Sequence, residues 1–419
     1  MTINDVEAAA LAAVDEAAIG PLLLDLLRVP SVTGSAAESD LQHVLAGHLE
    51  RLDLDVDLWL MDLDALRAHP DFPGGEAPRT EAWGLVGTRG AGDGPTLILQ
   101  GHVDVVPPGD LAQWRGDPFR PRVEGDAVHG RGACDMKAGV VAILVALAAI
   151  RTVPLRGKVS AHFVVSEEDG GLGAFGTLQR GHTGDACVIT EPTSGALMVA
   201  NAGALTFRVE VPGRATHGST RYAGVSAIDA YLPIHAALAR LETRRNVGAD
   251  PLLSDYPVPY PLSVGTVQAG DWASSVPDLL VAEGRLGVAL GEDPAQARAD
   301  LEACVAEVCA GDPWLREHPA VVTWPGGQFA SGRLPAGHPL AGLVGDAHAD
   351  MTRTSHPAER GAPYGSDLRL YAREGIPTLQ YGPGEVRFAH GPQEHVFLSE
   401  VVTVARALVL TALRCVGTR

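Results

Sequence analysis

Cysteine is scarce in this 419-residue sequence: Cys134, Cys187, Cys304, Cys309 and Cys415 are odd in number and show no paired spacing. That excludes a disulfide framework and fits a reducing compartment. Positive charge is short as well. Against 51 Asp and Glu stand 32 Lys and Arg, and the formal net charge of −19 is offset by no clustered basic stripe. Such a chain repels a phosphate backbone, so no nucleic-acid partner is expected. The most apolar stretch, Ala138 to Ile150, falls well below the roughly 20 residues needed to span a bilayer and reads as a buried helix, so no membrane partner is expected either. Asp5, Glu7, Asp15 and Glu16 stand where a secretory signal would carry positive charge, and the expected location is the cytoplasm. There is no internal repeat. With 46% hydrophobic and 20% charged residues, the composition is that of a globular protein and excludes a disordered or collagenous chain.

The length exceeds one ordinary core, since single cores seldom grow beyond about 250–300 residues. Helical spacing appears up to Leu27, where Pro30 ends it, and again over Ala36 to Leu52. Short β-like runs at Trp83–Val86, Thr96–Leu99, Val159–Val165, Ala186–Ile189 and Thr378–Tyr381 alternate with helical stretches at 137–151, 172–180, 366–374 and 397–414. This interleaving predicts an α/β domain with helices on both faces of a mixed sheet. The middle of the chain differs: strand Leu205–Val211, helix Val225–Leu241, strands Leu262–Val267 and Leu279–Leu290, and helix Pro294–Cys309 compose a small α+β unit. The expected organisation is therefore a discontinuous domain, 1–199 with 318–419, and an inserted domain, 200–317. Pro73 to Pro95, rich in Gly and Pro, reads as a surface loop.

Four of the outer domain's strands run directly into side chains that bind metals. Leu97–Gln100 enters Gly101-His102-Val103-Asp104, and Phe163–Val165 enters Ser166-Glu167-Glu168-Asp169. Val188–Thr190 enters Glu191-Pro192-Thr193, and Leu379–Tyr381 enters a glycine-rich loop reaching His390. Open α/β sheets bind ligands beyond the carboxyl ends of their strands, where these segments can converge. Gly130-Arg131-Gly132-Ala133-Cys134-Asp135-Met136-Lys137 adds a carboxylate at the start of the apolar helix. Each signal is weak alone: a histidine inside a strand, such as His162, or inside a helix, such as His235, is usually structural, and adjacent carboxylates usually mark a solvated turn. Together, two histidines and several carboxylates at strand ends make the oxygen- and nitrogen-rich site of zinc and similar ions.

At these residues the sequence resembles the family of two-zinc hydrolases that includes acetylornithine deacetylase, succinyl-diaminopimelate desuccinylase, aminoacylase and glutamate carboxypeptidase. The resemblance covers nearly the whole chain. It implies a zinc-exopeptidase-like catalytic domain with an inserted lid and dimerisation domain, hence a homodimer, and two divalent ions per chain: zinc, with cobalt or manganese as substitutes. It makes Asp135 the bridging ligand, places His102 and Glu191 on one ion and Glu168 and His390 on the other, and implies a cis peptide between Asp135 and Met136. Asp104 matches the acid that holds the His102 tautomer, and Glu167 matches the general base. Only the resemblance divides the roles of Glu167 and Glu168, which could exchange them chemically. His395 is the alternative to His390.

The resemblance extends to Gly213-Arg214-Ala215-Thr216-His217-Gly218-Ser219, which matches the segment that sends a histidine into a neighbouring subunit's site; His217 would then donate to the oxyanion. A substrate carboxylate calls for arginine, and the candidates are Arg285 and Arg369. Ser274 stands where the family carries a substrate-contacting asparagine. Trp324-Pro325-Gly326-Gly327-Gln328-Phe329 and Gly270-Asp271-Trp272-Ala273-Ser274-Ser275 resemble deacetylase and desuccinylase members more than peptidases. The expected activity is hydrolysis of a small N-acyl amino acid, with a dipeptide as the alternative substrate and a non-catalytic metal-binding protein as a further alternative.

Overall fold

The computed structural model describes residues 3–419, which divide into two compact units. The first comprises residues 3–200, Arg333–Arg360 and Asp367–Arg419; the second comprises Asn201–Gly332 and Gly361–Ser366.

In the first unit, strands Lys158–Val164, Thr96–His102, Ala186–Ile189 and Thr378–Gln380 lie side by side in that order and run parallel. Trp83–Arg89 and Asp55–Leu60 extend one side of this group antiparallel, and Leu197–Asn201 extends the other. The four parallel strands are buried along nearly their whole length, as parallel strands covered on both faces must be, and so they read as apolar runs rather than alternating patterns. Helices Leu172–Gln179 and Leu368–Arg373 cover one face with Phe175, Leu178, Leu368 and Tyr371. Helices Ala138–Ala149 and Leu398–Val416 pack together against strand Thr96–His102. The first of these is buried at every position but Ala148, as its uniform apolarity requires. Its glycine serves close packing: a Cβ on Gly139 would come within 2.3 Å of the Thr190 carbonyl oxygen. The apolar start of the chain splits into helices Asp5–Ala12 and Glu16–Leu27, because Asp15 caps the second by accepting from the Ala18 amide. No helix among the described residues is long and apolar enough to cross a membrane.

The second unit is α+β. Its antiparallel sheet runs in the order Leu262–Ala269, Leu279–Val288, Gly203–Pro212, Val321–Thr323. Alternation along Gly203–Pro212 puts Leu205, Phe207, Val209 and Val211 against Ile234, Leu238 and Leu301 of helices Ala227–Arg245 and Pro294–Gly311. Ser226 and Asp293 cap those helices. The unit runs past residue 317 because Val321–Thr323 and Gln328–Phe329 pair with Gly203–Pro212. Strands this short have no period to read in the sequence.

Candidate metal centre

All four parallel strands point their carboxyl ends to one edge of the sheet, and there the first unit gathers its ligand-type side chains. His102 ends strand Thr96–His102 and is fully buried. Its Nε2 lies 3.1 Å from Asp135 Oδ1 and 3.9 Å from Glu191 Oε2. The other Asp135 oxygen is 3.4 Å from His390 Nε2, which also lies 3.1 Å from Glu168 Oε2. Asp135 thus faces one imidazole with each oxygen, the disposition a bridging ligand needs. The Asp135–Met136 peptide is cis, in keeping with the resemblance. Ligand atoms of His102, Glu167 and Glu191 lie within 4.8 Å of one another, as do those of His102, Asp135 and Glu168. Glu167 therefore groups with the His102–Glu191 pair, and Glu168 with the His102–Asp135 pair. His395 lies elsewhere, in a small sheet beside His129.

Electrostatics mark this as a cation site. Burial opposes charge on both imidazoles, yet the carboxylates facing them prevail: His102 is held well above the usual imidazole range and His390 is pushed up to about 11. Burial would raise Asp135, but hydrogen bonds from His102 and His390 hold it below the usual carboxylate range. Glu167 moves the other way, raised by burial and by the nearby Glu191 and Asp367. Glu191 is likewise raised by burial, and by Asp135 and Glu168 against the pull of His102. Carboxylates raised by burial and crowding, interleaved with imidazoles raised by those carboxylates, form a cluster whose charges a divalent cation would balance. The donor chemistry, imidazole nitrogen and carboxylate oxygen, suits zinc-like ions.

Asp104 is fully buried and does more than the sequence implied. Its carbonyl oxygen, 2.9 Å from His102 Nδ1, accepts from the ring, whereas its carboxylate Oδ1 is 3.6 Å away. That carboxylate instead accepts from the Glu167 and Glu168 amides at 3.1 and 3.2 Å and from the Thr33 hydroxyl at 2.8 Å. Arg369 is buried, with Nη2 donating to the Gly170 carbonyl at 2.7 Å. In the second unit, Arg285 Nη2 donates to the Pro363 carbonyl at 3.1 Å. His217 is exposed, and its Nδ1 accepts from the Ser219 amide at 3.1 Å; the Ser274 carbonyl accepts from the Gly218 amide at 2.6 Å.

Sequence reasoning overlooked the buried pair Arg131–Glu394, 2.5 Å apart. Glu394 Oε1 accepts from the Cys134 and Asp135 amides, and Arg131 Nη2 donates to the His390 carbonyl, so this pair ties the backbone at Asp135 to the backbone at His390. Arg131 lies inside the segment singled out for Asp135, and Glu394 stands four residues after His390, so their nearness to ligand residues was the available signal. Lys137 is also buried and donates to the Leu26 and Val29 carbonyls, capping helix Glu16–Leu27.

A ligand cluster at the carboxyl edge of a parallel sheet, with a carboxylate to spare, defines a metal-dependent hydrolase. The chain belongs to peptidase family M20/M25/M40, whose model matches residues 98–414, and it is a metal-dependent amidohydrolase or metallopeptidase. It is 28% identical over 397 residues to the N-formyl-4-amino-5-aminomethyl-2-methylpyrimidine deformylase of Bacillus subtilis (strain 168), covering 88% of this chain and 87% of that one. It is 30% identical over 339 residues to the succinyl-diaminopimelate desuccinylase of Alkalilimnicola ehrlichii, covering 75% and 82%. Human carnosine dipeptidase 1 shares the fold at a TM-score of 0.75 and 14% identity, over 98% of this chain and 99% of that one.

Proposed function

We propose that the protein removes a small acyl group from the nitrogen of an amino acid or similar amine, using two divalent metal ions. The observation that carries this reading is the count of donors: His102, Asp135, Glu168, Glu191 and His390 suffice for two ions sharing Asp135, and Glu167 is left over beside them. Zinc suits the mixed imidazole and carboxylate set, with cobalt or manganese as substitutes. Bound ions would supply Lewis acidity, making water nucleophilic near neutral pH and polarising the amide carbonyl.

The chain's own residues supply the proton traffic and the geometry. Glu167, buried and raised in pKa, takes the proton from the attacking water and passes it to the departing amine. The Asp104 carbonyl fixes the His102 tautomer, and the Asp104 carboxylate orients Glu167 and Glu168 through their amides. His217, on an exposed segment of the second unit, would donate to the developing oxyanion in the site of a partner subunit, which makes a homodimer the working form. Arg285 is the candidate for the substrate carboxylate. Arg369 is a weaker one, because its guanidinium already serves the Gly170 carbonyl. Deformylase and desuccinylase relatives support an N-acyl bond as the one cleaved and widen the acyl group beyond acetyl. Five free thiols favour the cytoplasm.

Amine release decides the matter. Zinc-loaded protein should hydrolyse at least one of N-acetylornithine, N-succinyl-diaminopimelate, N-formyl amines and other N-acyl amino acids, and should lose that activity to a chelator. Hydrolysis of dipeptides alone would replace the deacylase reading with a peptidase one.

A further inference from the structure

Arginine 79 sits in a stretch that reads as surface loop, yet its side chain is 2% exposed. Its guanidinium forks between two buried carboxylates, with Nη1 3.0 Å from Glu38 Oε2 and Nη2 3.5 Å from Asp169 Oδ1. Those carboxylates in turn grip backbone. Glu38 accepts from the Ser166 amide at 2.8 Å and the Gly34 amide at 3.0 Å. Asp169 accepts from the Glu76 and Ala77 amides at 3.1 and 2.8 Å, and from the Ser166 hydroxyl.

Ser166 needs this support. Its φ of +63° lies in the left-handed region that side-chain-bearing residues rarely adopt. The unusual backbone conformation turns the chain at the strand end so that Glu167 and Glu168 follow with both amides aimed at Asp104. The loop is docked closely on the same turn: a Cβ on Gly170 would come within 2.4 Å of the Gly74 carbonyl oxygen, and one on Gly34 within 2.8 Å of the Pro78 carbonyl oxygen.

We infer that Arg79 is a positioning residue for the hydrolytic site: by pairing with Glu38 and Asp169 at once, it locks the Ser166–Asp169 turn that presents Glu167 and Glu168. The inference rests on the roles proposed above for those two glutamates. The physical need for a guanidinium is plain. Without it, the buried Glu38 and Asp169 carboxylates lose the guanidinium that joins them, and the turn they hold is free to shift. A lysine restores the charge but cannot fork between two carboxylates.

The test compares full-length wild type with Arg79→Met and Arg79→Lys. In metal-free protein, amide hydrogen exchange at Glu167 and Glu168 should quicken about tenfold or more in Arg79→Met, as local opening of a released turn allows, and Zn2+ affinity measured by chelator competition should fall. In the zinc-loaded enzyme, kcat should drop about a hundredfold with KM nearly unchanged, the penalty of a misplaced catalytic group. Arg79→Lys should lie between Arg79→Met and wild type on every measure. Unchanged exchange at Glu167 and Glu168 together with unchanged Zn2+ affinity and kcat, in variants that fold but melt earlier, would reduce Arg79 to a structural ion pair and overturn the inference. If Arg79→Met does not fold, Arg79→Lys decides by the same measurements. A wild type inactive on every amide would defeat the proposed activity, while exchange and Zn2+ affinity would still decide the role of Arg79.

Discussion

Replacing Arg131 with methionine isolates the energetics of the site's buried scaffold. The Arg131 and Glu394 side chains are 2% and 0% exposed, and Arg131 also lies over the Trp114 ring, 5.1 Å from its centroid. Removing one partner of a buried pair leaves an uncompensated charge and costs about 3–5 kcal/mol, against about 0–1 kcal/mol for a surface pair. Glu394 starts from a strained position: burial pushes its pKa up to about 7 even with Arg131 beside it. Taking away the guanidinium should push it further, so that Glu394 becomes protonated near neutral pH and limits the loss. In urea unfolding of the metal-free protein, a loss of about 3 kcal/mol at a slope of about 3 kcal/mol/M moves the first unit's midpoint by about 1 M. The double variant Arg131→Met, Glu394→Gln should recover much of that loss. Its amide oxygen can still accept from the Cys134 and Asp135 amides, and no charge is left unpaired. The reasoning fails if Arg131→Met costs less than about 1 kcal/mol, the value of an exposed pair, or if the double variant is no more stable than the single one.

Glu167→Gln should keep its metals and lose about 10²–10⁴-fold in kcat, whereas Glu168→Gln should lose metal; elemental analysis beside the amine-release assay separates the two. Zinc uptake should release protons and tighten as pH rises, because an imidazole held up to about 11 must deprotonate before it can ligate; titration calorimetry in buffers of different ionisation enthalpy measures the count, and a pH-independent affinity would contradict the ligand role of His390. His162, whose pKa burial lowers to about 3, folds neutral, so its contribution is present above about 6.5 and is lost as pH falls through 3. His162→Gln should therefore move the acid-unfolding midpoint to lower pH, read by circular dichroism. His217→Ala and Glu167→Gln, each inactive alone, should regain activity when mixed into heterodimers, and verified heterodimers that stay inactive would confine His217 to its own chain.

What could be read from the sequence was whatever is local. Strands buried on both faces appear as short apolar runs, and because His102, Glu167, Glu168 and Glu191 stand at or just past three strand ends and His390 on the loop after the fourth, their convergence needed only the rule that parallel strands end on one edge. The helix after Asp135 announced its burial by being apolar all round. The scaffold was hidden because its pairs are distant in the chain: Arg131 and Glu394 are 263 residues apart, Gln100 and Asp367 are 267 apart, and Arg79 is 41 residues from Glu38. No periodicity links such residues, and a single arginine in a Gly/Pro-rich loop looks the same whether it is solvated or buried.

At Asp104 the structure brings a different atom to His102 from the one the sequence suggests. An aspartate two residues after a ligand histidine suggests a carboxylate–imidazole bond, but the strand geometry brings the carbonyl, not the carboxylate, to His102 Nδ1. The carboxylate is thereby free to take two amides and a hydroxyl from the Glu167–Glu168 turn and Thr33. Three donors satisfy a buried charge well, so one residue joins the strand that carries His102 to the turn that carries the proposed base. The consequence is chemical. A carbonyl does not titrate, so whenever the His102 ring is neutral its proton stays on Nδ1 and its lone pair stays on Nε2, the nitrogen that faces Asp135 and Glu191.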